Sequence, residues 1–304
     1  ILTAMVKIVA ALLLGYFFYK IHILDDRSNA VISKLVIYGP GTCMIFSSVV
    51  GLDTSKKGEV LTLVIAGVAL YIILGVMSFL AAKALRPGKS LEGVYETLML
   101  FGNSAFLAFP IGQAFMGDWA VSYLAILNVH QNVFAFSYGI YLLTKGNQGE
   151  FKFSFKKLIN PGVLSAIFAI IMYFIGIQFP PVLMETVDFL GQVTGPLAMV
   201  IMGSMIAAYS LKELFNNWRY YIAALFKMVV FPLVIFFIAR AIWGSSDLTR
   251  IITLHVAMPT ATIVSMLALA NNSDSKTTSA ATGLMNILCI GTIPGIWLLV
   301  NSLL

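Results

Sequence analysis

The sequence predicts an all-α polytopic membrane protein: ten transmembrane helices in a 5+5 inverted repeat, with both termini outside. Three observations predict it. Of the 304 residues, 60% are hydrophobic and only 11% are charged, whereas soluble domains carry about 25% charge. Apolar runs of about 20 residues, enough to cross a bilayer core, recur along the chain; the alternating segments of about ten residues that a barrel needs do not. Prolines return in similar contexts about half a chain apart.

The elements follow in order. ILTAMVKIVAALLLGYFFYK gives the first span, 2–20; it is too long for a signal-peptide core and has no small-residue cleavage site. The second span, 30–51, carries YGPGTCMIFSS, and the third, 59–82, is uninterrupted. The fourth, 94–116, contains GNSAFLAFPIG, and the fifth, 119–144, contains ILNVHQNVFAF. KGNQGEFKFSFKKLIN is the longest connection, basic and aromatic, and reads as a cytoplasmic loop lying against lipid headgroups. The sixth span, 160–177, opens on NPGVL; the seventh, 182–209, contains TGPLAMVIMGS. The eighth, 217–240, contains KMVVFP; the ninth, 248–270, contains HVAMPTATIVS; the tenth is 279–301. Cys43 and Cys289 lie inside apolar segments, so they make no disulfide framework and read as small packing residues.

Orientation follows from lysine and arginine, which favour cytoplasmic loops. The odd-numbered loops hold 12 of them and the even-numbered loops 4, which puts the odd loops inside. The net charge of +6 is therefore a matter of topology and implies no nucleic acid.

The halves match. Gly-Pro opens the second and seventh spans, with Pro40 and Pro196 lying 156 residues apart, and a mid-membrane proline marks the fourth and ninth, with Pro110 and Pro259 lying 149 apart. Five spans per half place the second copy upside down, the plan of many secondary transporters. Residues 1–144 form the first repeat and 160–304 the second, within one membrane domain.

Proline removes an amide donor and crowds the carbonyl four residues back. In lipid, backbone freed in this way survives only where protein or a cavity satisfies it. Pro110 and Pro259 are therefore expected to open polar backbone at mid-membrane, where half-helix ends can hold a solute and half-helix N-termini suit an anion.

GNSAFLAFP, HVAMPTAT, NPGVL and KMVVFP together resemble the auxin efflux carrier family over nearly the whole chain. That family includes bacterial permeases for small carboxylates and is related in fold to bile-acid/sodium symporters. The resemblance implies ten spans with the fourth and ninth broken and crossing, a scaffold of spans 1, 2, 6 and 7, a transport unit of spans 3–5 and 8–10, and a homodimer through the scaffold. Two departures leave the substrate open: Ala108 and Phe109 stand where the family usually has a glycine before the proline, and Ile263 and Val264 stand where it often has a polar amide.

The candidate substrate contacts are the polar groups of the broken and neighbouring spans. Asn103 and Ser104 precede Pro110 by about two turns, and Asn103 is the leading candidate. Asn128, Gln131 and Asn132 share an arc of about 100° on the fifth helix, which reads either as a polar ligand face or as interhelical hydrogen bonding; His130 falls on the opposite side and reads as structural. Thr260 and Thr262 flank Pro259, one to satisfy a freed carbonyl and the other to face the cavity. His255, one turn earlier, either titrates or donates to a carbonyl. Lys227 sits deep in the eighth span, where a charge costs roughly 2.5–3.5 kcal/mol on the insertion scale. It neutralises a substrate carboxylate or helix C-terminal dipoles, or snorkels along its stem.

The thirteen acidic residues lie in loops or near span ends, the deepest being Glu96 and Asp188. An interior of lysine, histidine, amides and hydroxyls suits an anion better than a cation. The sequence thus predicts a plasma-membrane secondary carrier for a small organic anion, a carboxylate such as malate or an auxin-like acid, working by alternating access. No cofactor or metal is expected, and the coupling ion, proton or sodium, stays open. The alternatives are a sodium-coupled organic-anion symporter and a transporter-fold sensor. An enzyme is not expected: no HExxH, GxSxG, close Asp pair or Walker A occurs.

Overall fold

The computed structural model describes residues 2–145, 161–208, 214–215 and 217–304. Beyond Lys145, the connection read as a headgroup loop lies outside the described residues, as does Lys212. Among the described residues the chain is helical, with no strand. Five helical stretches are long and apolar enough to cross a membrane, namely Asp26–Val50, Thr54–Leu85, Pro181–Ala208, Trp218–Trp243 and Ser275–Leu303; Phe106–Met116 and Pro161–Ile175 are shorter apolar helices. On the stretch Thr54–Leu85, Leu61, Ile65, Val68, Ile72 and Val76 form an exposed apolar stripe at helical spacing. Water would penalise such a stripe and lipid favours it.

Helix starts are written locally by capping side chains. Helix α1 is Leu2–Lys20. Helix α2, Asp26–Tyr38, opens on a capping box between Asp25 and Ser28. The Ser28 amide and hydroxyl hold the Asp25 carboxyl below its ordinary value. Helix α3, Pro40–Val50, follows after one residue, Gly39. Helix α4 is Lys57–Leu85, and α5 is Glu92–Leu100. A π turn, Ser104–Ala108, leads into α6, Phe109–Met116. Helix α7, Trp119–Phe134, passes through a π turn, Ala135–Gly139, into α8, Ile140–Lys145. Then come α9, Pro161–Ile175, α10, Pro181–Gln192, and α11, Thr194–Ala208. Helix α12, Trp218–Leu225, is capped by Asn217 and runs through a π turn, Phe226–Val230, into α13, Phe231–Trp243. Ser246 caps α14, Asp247–Val256; α15 is Thr262–Ala270; Asp274 caps α16, Ser275–Leu303.

The chain divides into two compact units, 1–65 with 104–129 and 159–208, and 66–103 with 130–158 and 209–304. In the first, α1 and α11 run antiparallel on two glycines: a side chain at Gly15 would strike the Val200 carbonyl, and one at Gly203 the Leu12 carbonyl. Small residues of this kind let membrane helices approach backbone to backbone. Helix α9 lies on α3, where the Ser165 hydroxyl donates to the Thr42 carbonyl at 2.8 Å. Tyr123 donates to Glu59 at 2.5 Å.

In the second unit, Gly93 brings α5 onto the Leu142 backbone of α8. Glu96, four residues before the end of α5, is buried and accepts a hydrogen bond from Tyr138 at 2.6 Å. The sequence places it merely near a span end; the packing of α5 against α8 takes it inside.

The structure corrects the location of one break. The sequence places the interruption of the fourth segment at Pro110, but Pro110 is helical, the second residue of α6. The missing amide is absorbed by the π turn Ser104–Ala108, whose wider loop relieves the clash of the proline ring. Pro232 likewise follows the π turn Phe226–Val230. The fourth segment unwinds instead at 101–103, where α5 has ended. In the ninth segment Pro259 does lie within the break, between α14 and α15.

Candidate functional site

The two breaks meet within the second unit. Gly102 and Thr260 form an isolated antiparallel bridge. The Asn103 amide donates to the Pro259 carbonyl at 2.8 Å, and the Ala261 amide to the Phe101 carbonyl at 3.0 Å. Two unwound stretches thus satisfy each other's backbone groups, as buried backbone without water must. Gly102 and Thr260 are 158 residues apart in sequence, closer to the 156 of the Gly-Pro pair than the 149 of Pro110 and Pro259.

Side chains complete the crossover. The buried Thr260 hydroxyl donates to the Leu98 carbonyl at 2.5 Å and lies 3.0 Å from the Met285 sulfur. The carbonyl it serves belongs to the other broken segment, not to its own helix. Gly102 is required by close approach: a Cβ there would sit 3.3 Å from the His255 carbonyl oxygen, 3.3 Å from Met258 Cβ and 3.5 Å from the Lys227 ammonium. Lys227, only 1% exposed, therefore borders the bare face of Gly102. Its π turn packs against α5 and α16, and among the described residues no carboxylate forms an ion pair with it.

His255 is buried, and its Nε2 lies 2.8 Å from the Tyr71 hydroxyl. Tyr71 also reaches Gln131 Oε1 at 3.0 Å. One hydroxyl proton can go only one way; when Gln131 receives it, the His255 Nε2–H donates to the Tyr71 oxygen. Tyr71 is held flat between aromatic neighbours, with ring centroids 5.3 Å from Phe134 and 6.4 Å from Phe101. His130 rests its imidazole against Gly67.

The structure therefore brings together Asn103, Pro259, Thr260, Lys227, His255 and Gln131, the last through Tyr71. It places Ser104, Pro110 and Asn128 in the other unit, where Pro110 lies beside Gly195, 3.5 Å from where a Cβ there would stand. Asn132 and Thr262 are half-buried in the second unit. Asn103 is 2% exposed and its Nδ2 has no hydrogen-bond partner among the described residues.

Sequence reasoning missed four residues here. Gly102 was visible only as part of a motif. Tyr71 sits in the uninterrupted third span and carries no pattern of its own. On α16, which brings Met285 to Thr260, Thr282 and Asn286 lie one turn apart, are at most 1% exposed and, among the described residues, have Oγ1 and Oδ1 without partners. Their spacing, with Met285 beside Asn286 on Thr260, was the available signal.

Among the described residues this donor-rich arrangement has no cluster of ligands for a metal. It can hold a polar solute. Comparison with known proteins agrees with that chemistry. Residues 1–297 match the family described as Membrane transport protein. A protein of Methanocaldococcus jannaschii described as an uncharacterized transporter is 23% identical over 271 residues, covering 87% of each chain. With the family spanning nearly the whole sequence and the crossover built from its own motifs, the chain belongs to the membrane transport proteins of the auxin efflux carrier family.

Proposed function

We propose that this membrane transporter is a secondary carrier of a small organic anion, a mono- or dicarboxylate such as malate or an auxin-like acid. The observation that carries the reading is the chemistry of the crossover: a buried Asn103 amide donor with no partner among the described residues, at a point where no described carboxylate forms an ion pair with the neighbouring Lys227. Donors without acids favour an anionic guest, since a buried unpaired donor costs free energy that a carboxylate oxygen recovers. Helix resumes immediately after each paired stretch, at Ser104 and Thr262, and such half-helix N-termini attract negative charge.

In this reading ten spans form two inverted repeats with both termini outside, in the plasma membrane. Spans 3–5 and 8–10 move against a scaffold of spans 1, 2, 6 and 7 by alternating access. Asn103 and Thr260 sit at the contact point, with Gln131, Asn132, Thr262, His255 and Lys227 shaping the path. Two copies pair through the scaffold, and crosslinking in native membranes is expected to recover a dimer.

The test is a melting screen of carboxylates on purified protein, followed by counterflow in liposomes. A ligand at 100 times its Kd stabilises by about 2.7 kcal/mol. In Asn103→Ala that stabilisation is expected to fall by more than half while the unliganded protein melts nearly unchanged, because the amide donor it loses is already without a partner. A carboxylate that protects the variant in full removes Asn103 from the site. Binding without counterflow supports a sensor instead.

A further inference from the structure

Helix C-termini are the electrostatic problem of a crossover. Helices α5 and α14 both end at it, at Leu100 and Val256. Each end leaves carbonyls without intrahelical donors and carries about half a negative charge. Together they present roughly one unit of negative charge among buried residues. Some of those carbonyls find donors: Thr97 from the Phe101 amide, Leu98 from the Thr260 hydroxyl and Thr253 from the Ala257 amide. The His255 carbonyl instead faces Gly102, on the side that the Lys227 ammonium borders. The lysine comes from a third element, the π turn Phe226–Val230, which Pro232 forces wide. Three described acids of the second unit take other partners: Glu96 is bonded to Tyr138, Asp247 to Arg250 and Asp274 to Thr277, while Glu92 stands at the opposite, N-terminal end of α5.

We propose that the Lys227 ammonium is a tethered cation that neutralises the C-terminal ends of α5 and α14, in the role a bound sodium ion would otherwise fill. One positive charge meets about one negative charge, leaving the half-helix N-termini free to act on an anion. The carrier then needs no sodium to assemble its crossover, which separates it from the sodium-coupled alternative. Lys227 is a positioning residue here and does not itself grip the substrate. The transport consequence rests on the carrier reading; the charge balance does not, and its test needs no substrate.

The experiment compares melting of purified wild type, Lys227→Arg, Lys227→Met and Lys227→Ala in sodium, potassium, choline and methylammonium chloride at equal ionic strength. Wild type and the arginine variant are expected to melt alike in all four salts. The neutral variants are expected to melt lower by about 5 °C or more in choline, and to regain over half of the loss in sodium or methylammonium, with alanine regaining more because it leaves room for the ion. Neutral variants that yield monodisperse protein only when sodium or methylammonium is present support the proposal equally. It is overturned if sodium stabilises the wild type over potassium and choline. It is overturned also if the neutral variants melt like wild type, if their loss ignores every cation, or if they cannot be recovered in any salt while the arginine variant folds. Loss of carboxylate binding alone, with melting unchanged, leaves the carrier reading standing and sinks this one.

Discussion

Where α2 gives way to α3, a single residue leaves helical geometry. The Gly39 amide still reaches the Leu35 carbonyl at 2.9 Å, and the Thr42 and Cys43 amides still reach Gly39. Where α5 ends, the backbone leaves the helix for several residues and gives its hydrogen bonds to a second broken segment 158 residues away. Both interruptions lie near a proline, and proline does not account for the difference. Pro110, Pro196, Pro232 and Pro294 all sit inside helices. What distinguishes the crossover is reciprocity: a glycine that admits another backbone, a threonine that donates across, and a partner stretch with the complementary gap. A proline bends a membrane helix, but unwinding one requires somewhere for the freed groups to go.

Three substitutions break or sharpen that comparison. Gly102→Leu pushes a side chain against the His255 carbonyl and Met258. It is expected to cost about 3 kcal/mol or more, as overpacking does at its upper end, read as a large drop in melting temperature or loss of monodisperse protein. Thr260→Val keeps the shape and deletes the donor to Leu98. A buried carbonyl left without its partner costs about 1–3 kcal/mol; Thr260→Ser should recover most of it, which chemical denaturation can read. Pro110→Ala should do least, within about 1 kcal/mol, because it restores an amide to an already helical position. Amide exchange at Gly102 and Asn103 should be unaffected in that variant. A Pro110→Ala protein that exchanges freely there would return the break to the proline.

That the chain is helical and suited to a membrane was legible because lipid imposes it. Apolar runs long enough to span are written in composition. The motif GNSAFLAFP was legible as a break, but its position was not. Pro110 is the conspicuous residue, and the absorbing π turn has no sequence mark, so the unwinding fell seven residues from where the sequence points, at the less conspicuous Phe101–Asn103. HVAMPTAT gave no such trouble, because Pro259 has no preceding turn to absorb it and its carbonyl is the one Asn103 uses. The amides of the fifth span were visible as an arc, but the arc did not show that Gln131 is tied to the crossover through a tyrosine on another helix. Contacts between segments distant in sequence, such as Lys227 against Gly102, leave no periodic trace, so the helix pattern that located Lys227 could not say what it touches.

The glycine seam of α1 against α11 has a consequence for biogenesis. The Lys20 ammonium bonds the Ala207 carbonyl, 187 residues later in the chain. At a synthesis rate of about 5–20 residues per second, the first helix waits on the order of 10–40 s in the bilayer before its partner leaves the ribosome. For that interval the bare strip around Gly15 faces lipid or the insertion machinery. Helix α1 is therefore made well before its permanent neighbour, and a slowed ribosome lengthens the time in which it can pair with the wrong one.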